Sequence, residues 1–354
     1  MSLSDLILHK KQNNMKIKFV FGIVVLGIVV CLGMNMPFKS NSSKPTLKQI
    51  ATIDLPGEVG KRFDYLTIDY KHNYLFSAHL GANVLYVIDT KTNKLVKMIT
   101  DTPGAEGVEY VQELNKVYTS NWKGHTIGVI DMNKMEVIKK IPAIEKPDGN
   151  VYASHFKKLY VSDERGKTLI VVDVNKDEVV KKISFKSETG MPQYDSISKK
   201  IYLNLQDENI FVVIDPANDS IIGRYTVGEC KGNHGMALDV EHRLAFLACE
   251  GNDLLTVMNL DTYKPVAFLK MAGGCDVVKY DPGLKRIYVA CYDGFISVFH
   301  EDDATHFTKL EDFPVQKRVH SLAVDIFTHR VYAPEQEENG KSVSRMIIYE
   351  AIQQ

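Results

Sequence analysis

Seven positions recur along the chain at intervals of 42, 42, 42, 44, 42 and 44 residues: Asp64, Glu106, Asp148, Gly190, His234, Asp276 and His320. All but Gly190 can hold a cation or carry a proton. A second recurring set, His79, Asn121, Asp163, Leu205, Cys249, Cys291 and Glu335, follows the first copy by copy. Together they offer the carboxylates Asp64, Glu106, Asp148, Asp163, Asp276 and Glu335, the imidazoles His79, His234 and His320, and the thiols Cys249 and Cys291. Carboxylates gathered around a partly enclosed channel repel one another unless cations or protons offset them. A divalent cation is one compensation: oxygen and imidazole ligands suit zinc, manganese or iron, and thiolates shift the preference to zinc or copper. A metal-dependent enzyme would use His79, His234 and His320 as ligands and Glu106 or Asp276 as general base. The plainer alternative is that these groups hydrogen-bond to loop amides and channel water.

The elements that must position these residues are short strands. In the copy that begins at Asp148, a strand opens at Asp148–Tyr152 and a second follows at Leu159–Ser162. A third runs over Thr168–Val172 and a fourth over Glu178–Ser184, with polar turns between them. Four short strands per unit, a period in the low forties and no helical apolar period together define an all-β, seven-bladed β-propeller with four antiparallel strands per blade. The seventh unit runs out of chain after three strands. Leu47–Leu55 has the pattern of a fourth strand, so the N-terminal strand is expected to close the last blade and leave no open sheet edge. Loops entering first strands and leaving second strands share one face of a propeller, which gathers both recurring sets around one mouth of the channel.

The rest of the chain reads as an address. Lys16 and Lys18 precede an apolar run, Phe19–Met34, followed by Pro37 and a polar stretch. Residues 1–36 are therefore expected to be a signal or membrane-anchor segment, 37–45 a linker and 46–354 the propeller. A retained anchor is favoured because no small-x-small cleavage site follows and Val30 precedes Cys31. Met15 places the lysines directly at a terminus, which makes residues 1–14 read as a start-site artefact. The membrane is expected as a partner only through this segment. A composition of 45% hydrophobic and 25% charged residues supports one large core, and a net charge of −1 gives no argument for nucleic acid. Lys116, Lys158, Lys200, Arg243, Arg286 and Arg330, recurring at second strands, read as solvated hairpin ends.

Cys230, Cys249, Cys275 and Cys291 cluster in the fifth and sixth blades on the mouth face. Disulfides, with three connectivities open, are weighed there over a Cys/His metal site with His234 or His320. Trp122, the only tryptophan, could stack on a ligand at the mouth, although packing on a neighbouring loop explains it more simply. His125, His155, His242, His300, His306 and His329 fall in turns and are assigned to solvent. No phosphate loop or catalytic triad is visible, and no quinone or nucleotide cofactor is expected.

The strands Leu159-Tyr160-Val161-Ser162-Asp163, Val117-Tyr118-Thr119-Ser120-Asn121 and Ile287-Tyr288-Val289-Ala290-Cys291 resemble the repeated Tyr-Val-Thr-Asn strand of the YVTN, or YncE-like, propellers. The resemblance covers about residues 46 to 354. It implies an extracytoplasmic seven-bladed propeller, and it brings precedent for single-stranded DNA binding, for which this acidic mouth is ill suited. The expectation is a monomeric binding module that takes a small ligand, metal ion or protein partner at the mouth, with zinc, copper or manganese as the divalent candidates. A metal-dependent enzyme at the same mouth is the alternative.

Overall fold

The structure is a computed structural model and describes residues 45–353. The expected signal or anchor segment lies outside the described residues. Among the described residues no helix is long and apolar enough to cross a membrane. Seven sheets of four antiparallel strands follow one another along the chain. Their first strands are neighbours in sequence order and meet again across the junction of the seventh and first blades, so they form a closed inner ring. This is the seven-bladed propeller that the repeat implies.

Closure comes from the N-terminal strand, Leu47–Asp54, which pairs antiparallel with Lys341–Ala351, Leu47 opposite Ala351 and Asp54 opposite Arg345. Thr46 donates from its amide and hydroxyl to Glu311 Oε2 at 2.7 and 2.8 Å, tying the entering chain to the sixth blade. The third residue of each second strand is Phe76, Tyr118, Tyr160, Tyr202, Phe246, Tyr288 or Tyr332, all fully buried. An aromatic ring fills the space between adjacent twisted sheets, and burying a ring of this size is worth about 1.5–3 kcal/mol.

Five of the six recurring basic residues are ties between blades, not solvated ends. Lys116 pairs with Asp177 at 2.6 Å and Lys158 with Asp219 at 2.7 Å, each reaching the next blade. Arg243 reaches back to Asp195 at 2.6 Å. Arg286 donates to Ile352 O at 2.8 Å, and Arg330 spans the ring closure to Thr90 O at 3.2 Å. Lys200 alone stays in its own blade, with Asp215 at 3.4 Å. The partners of Lys116, Lys158, Arg243 and Arg330 sit at hairpin turns of the adjacent sheets, and the half-buried ion pairs among them are worth more than an exposed pair.

Candidate functional site

The mouth is a cavity of about 420 Å³ built in three tiers. First-strand starts supply Asp64, Asp148, His234, Asp276 and His320; the loops two residues earlier supply Arg62 and Lys146; the residues just after second strands supply Glu164, Gln206, Glu250 and Tyr292. Two glycines let these tiers close up. At Gly235 a Cβ would lie 1.9 Å from the backbone oxygen of Asp276, so only glycine lets the two blades approach there. Gly274, with φ +71°, turns the chain into the sixth blade, where a Cβ would meet the Tyr292 Cβ at 2.8 Å.

Asp276 is the hub of the polar network. Its Oδ2 accepts from His320 Nδ1 at 2.9 Å, while its Oδ1 lies 3.5 Å from His234 Nε2 and has no hydrogen-bond partner. His234 Nε2 also faces the Tyr65 hydroxyl at 3.0 Å and Asp148 at 4.0 Å. Arg62 Nη2 stands 3.1 Å from Asp64 and 2.5 Å from His320 Nε2. On the opposite side Lys146 pairs with Glu164 and lies 3.8 Å from Glu106 and 4.0 Å from Asp148.

Burial opposes charge throughout, and the neighbours decide the outcome. For His234, burial is outweighed by Asp276, Glu250 and Asp148, which hold its pKa up at about 9. Burial likewise opposes charge on Asp276, but His320 and His234 keep it well below the usual carboxylate range. Burial, with Asp148 and Asp64 adding repulsion, pushes Glu106 up to about 11, so it stays a neutral acid whose two oxygens lack partners. Asp148 is raised by burial to about 7 despite Lys146. His320 faces two demands. Against burial, Asp276 and Asp64 favour its imidazolium, whereas the Arg62 contact at 2.5 Å requires a lone pair on Nε2. Both cannot hold at once: with Arg62 in place the ring is neutral and donates from Nδ1 to Asp276, and the charged form requires the partly exposed Arg62 side chain to withdraw.

Below His234 the channel closes. Tyr65, Met191, Met236 and Val277 are buried together in one apolar cluster that leaves no open volume. Beneath this plug a smaller chamber of about 150 Å³ holds Glu109 and Lys279. The mouth cavity therefore has an apolar floor.

Of the residues singled out from sequence, the cavity gathers Asp64, Asp148, Asp276, His234 and His320, with Glu106 behind Lys146. The others lie elsewhere. His79 is fully buried, stacked on Phe63 at 3.8 Å, with Nε2 donating to Lys61 O at 3.1 Å. Asp163 turns its carboxylate back to accept from the amides of Ile144, Glu145, Lys146 and Gly166, which shapes the loop that carries Lys146. Glu335 is buried opposite Arg345, its pKa raised to about 7 by burial and by Glu338. Trp122 sits beside two cations, Lys146 Nζ at 5.5 Å and Arg165 at 5.4 Å, and so braces Lys146. Cys249 is bonded to Cys230, which removes it from any thiolate set, while Cys275 and Cys291 are buried free thiols opposite one another in register. Burial pushes the Cys291 thiol up to about 11.

Glu164, Gln206, Glu250 and Tyr292 were missed by the sequence reading, and their signal is strand alternation. The last residue of each second strand, such as Asp163 or Cys249, is still paired in the ladder and points into the blade. One residue further on the side chain flips to the channel.

The fold and site thus define a seven-bladed propeller with a charged, floored cavity at one mouth. The family model for the YNCE-like beta-propeller matches residues 59–195, in line with the resemblance carried by the second strands. Comparison with curated proteins returns no match. Among solved structures, a chain titled Kuenenia stuttgartiensis hydrazine synthase is similar with a TM-score of 0.70 at 14% identity, covering 82% of this chain and 96% of that one. At that identity the likeness is one of fold alone.

Proposed function

We propose that this protein is an extracytoplasmic binding module that takes a small cationic ligand in the mouth cavity. One observation carries the reading: Asp276 Oδ1 is buried without a hydrogen-bond partner, on a wall where the five carboxyl groups of Asp64, Asp148, Glu164, Glu250 and Asp276 outnumber the basic groups Arg62, Lys146, His234 and His320. An unpartnered buried carboxylate oxygen costs about 1–3 kcal/mol, and a bound cation would recover it. The Cys230–Cys249 disulfide supports an oxidising compartment, as does the extracytoplasmic habit of YncE-like propellers. Thermal-shift measurements of the full chain against amines, amino-acid esters and divalent ions test the reading. A rise in melting temperature that Asp276→Asn removes supports it, and a flat response across the set refutes it.

The enzyme alternative finds less support. Glu106, held neutral by burial, and Asp276, held far below neutral pH by its histidines, are both poor bases at pH 7. Asp148, raised by burial to about 7, has a value fit for that role. Single-stranded nucleic acid remains disfavoured, because the wall that would meet phosphates carries the carboxyl groups of Asp64, Asp148, Glu164, Glu250 and Asp276.

A further inference from the structure

We propose that the cation is a divalent transition-metal ion held by His234, Glu250 and Asp276; this deepens the binding-module reading and rests on it. One ligand atom from each of the three residues lies within 4.8 Å of the other two. With metal bonds of about 2.0–2.2 Å, ligand atoms stand roughly 3–4 Å apart, so the 3.5 Å between His234 Nε2 and Asp276 Oδ1 already fits and Glu250 needs only a small side-chain movement. Glu250 can make it, since it follows the end of a second strand and lies exposed at the cavity rim.

The cluster is more than a set of acids. Asp276 is 8% exposed, and its Oδ1 is the atom without a hydrogen-bond partner. Its Oδ2 is fixed by His320 Nδ1 at 2.9 Å, which orients the carboxylate as an outer partner orients a metal ligand. His320 is thus a positioning residue. Nitrogen and two oxygens suit zinc or manganese, and the cavity leaves room for a further ligand on the metal, which gives the module a means of capturing an anionic or carbonyl-bearing molecule. Two things occupy the same atom and must leave when the metal binds: the Tyr65 hydroxyl, 3.0 Å from His234 Nε2, and the proton that Nε2 carries in the imidazolium form.

The test is calorimetric titration of chelator-treated full-length protein with Zn²⁺ and Mn²⁺, run in parallel with spermidine. One saturable site is expected for a metal, weakened about tenfold or more by His234→Gln, by Glu250→Gln and by His320→Gln. His306→Gln, at an exposed His306–Asp303 pair, leaves it unchanged. Tyr65→Phe tightens it. Because Glu250 is exposed, Glu250→Gln keeps the fold and the test stands even where a buried variant fails to fold. Metal binding that His234→Gln and Glu250→Gln leave intact overturns the site. Spermidine binding with no metal heat overturns the metal and leaves the binding module. Silence from all three overturns both.

Discussion

Asp276 accepts a hydrogen bond from His320 at 2.9 Å across the junction of the sixth and seventh blades, next to the place where the chain closes its ring. The two residues stand at the same step of successive first strands. Their contact therefore joins site and architecture: the hub carboxylate of the cavity is set by the last blade, whose fourth strand is the N-terminal one.

A truncation that begins the chain at Leu55 leaves the Lys341–Ala351 edge unpaired and removes the contacts that Thr46 makes with Glu311 and Arg286. An exposed edge of that length invites pairing with other chains. The shortened protein is expected to aggregate, or to melt far below the full chain, and a melting curve that overlays the full chain would contradict the closure.

Glu106 gives a pH-dependent prediction. Burial raises its folded pKa from the ordinary 4.5 to about 11, so between those values the folded state holds a proton that the unfolded state has released. The stability associated with this group is complete below pH 4.5 and falls as pH rises through the window. Glu106→Gln, equal in shape and always neutral, should stabilise the protein at pH 8 by at most about 1.4 kcal/mol for each pH unit above 4.5, with the gain shrinking towards pH 5. Denaturant unfolding at both values checks this. A loss at pH 8 would mean that Glu106 is instead an ionised partner of Lys146.

His79 carries the opposite sign. Burial lowers its pKa from 6.5 to about 4, so the unfolded chain takes up a proton first as pH falls. Its contribution is whole above pH 6.5 and is lost on the way down to 4, by at most about 1.4 kcal/mol per pH unit. Replacing it with Gln should flatten the stability profile in that window, and an unchanged slope would show that other groups carry the acid sensitivity.

The cysteines separate under alkylation. Denatured but unreduced protein should be labelled at Cys275 and Cys291 and not at Cys230 or Cys249. Cys230→Ser is expected to cost about 3 kcal/mol, as loss of a cross-link closing a short loop does. Protection of Cys275 and Cys291 in the mapped peptides would instead reveal a second bond between those register partners.

The architecture was legible because a period repeated seven times leaves little choice, and the orphan strand at Leu47 could be assigned by pattern alone. The ring from Asp64 to His320 was legible for the same reason. The second ring was read one residue early, at Asp163 and Cys249 in place of Glu164 and Glu250, because alternation along a strand inverts with every step and the strand ends could not be fixed from sequence. Arg62 and Lys146 stayed hidden in irregular loops that carry no period. The blade-to-blade role of Lys116 or Arg330 was hidden too, since its partners lie 61 and 240 residues away.

The account turns on a cation in the mouth cavity, and anomalous diffraction from crystals of the full chain soaked in Mn²⁺ locates it directly. The account predicts a single strong peak bounded by His234 Nε2, Asp276 Oδ1 and the Glu250 carboxylate, absent from crystals of Asp276→Asn treated alike. An open, solvent-connected cavity with no peak, or a peak that persists in Asp276→Asn, would contradict it.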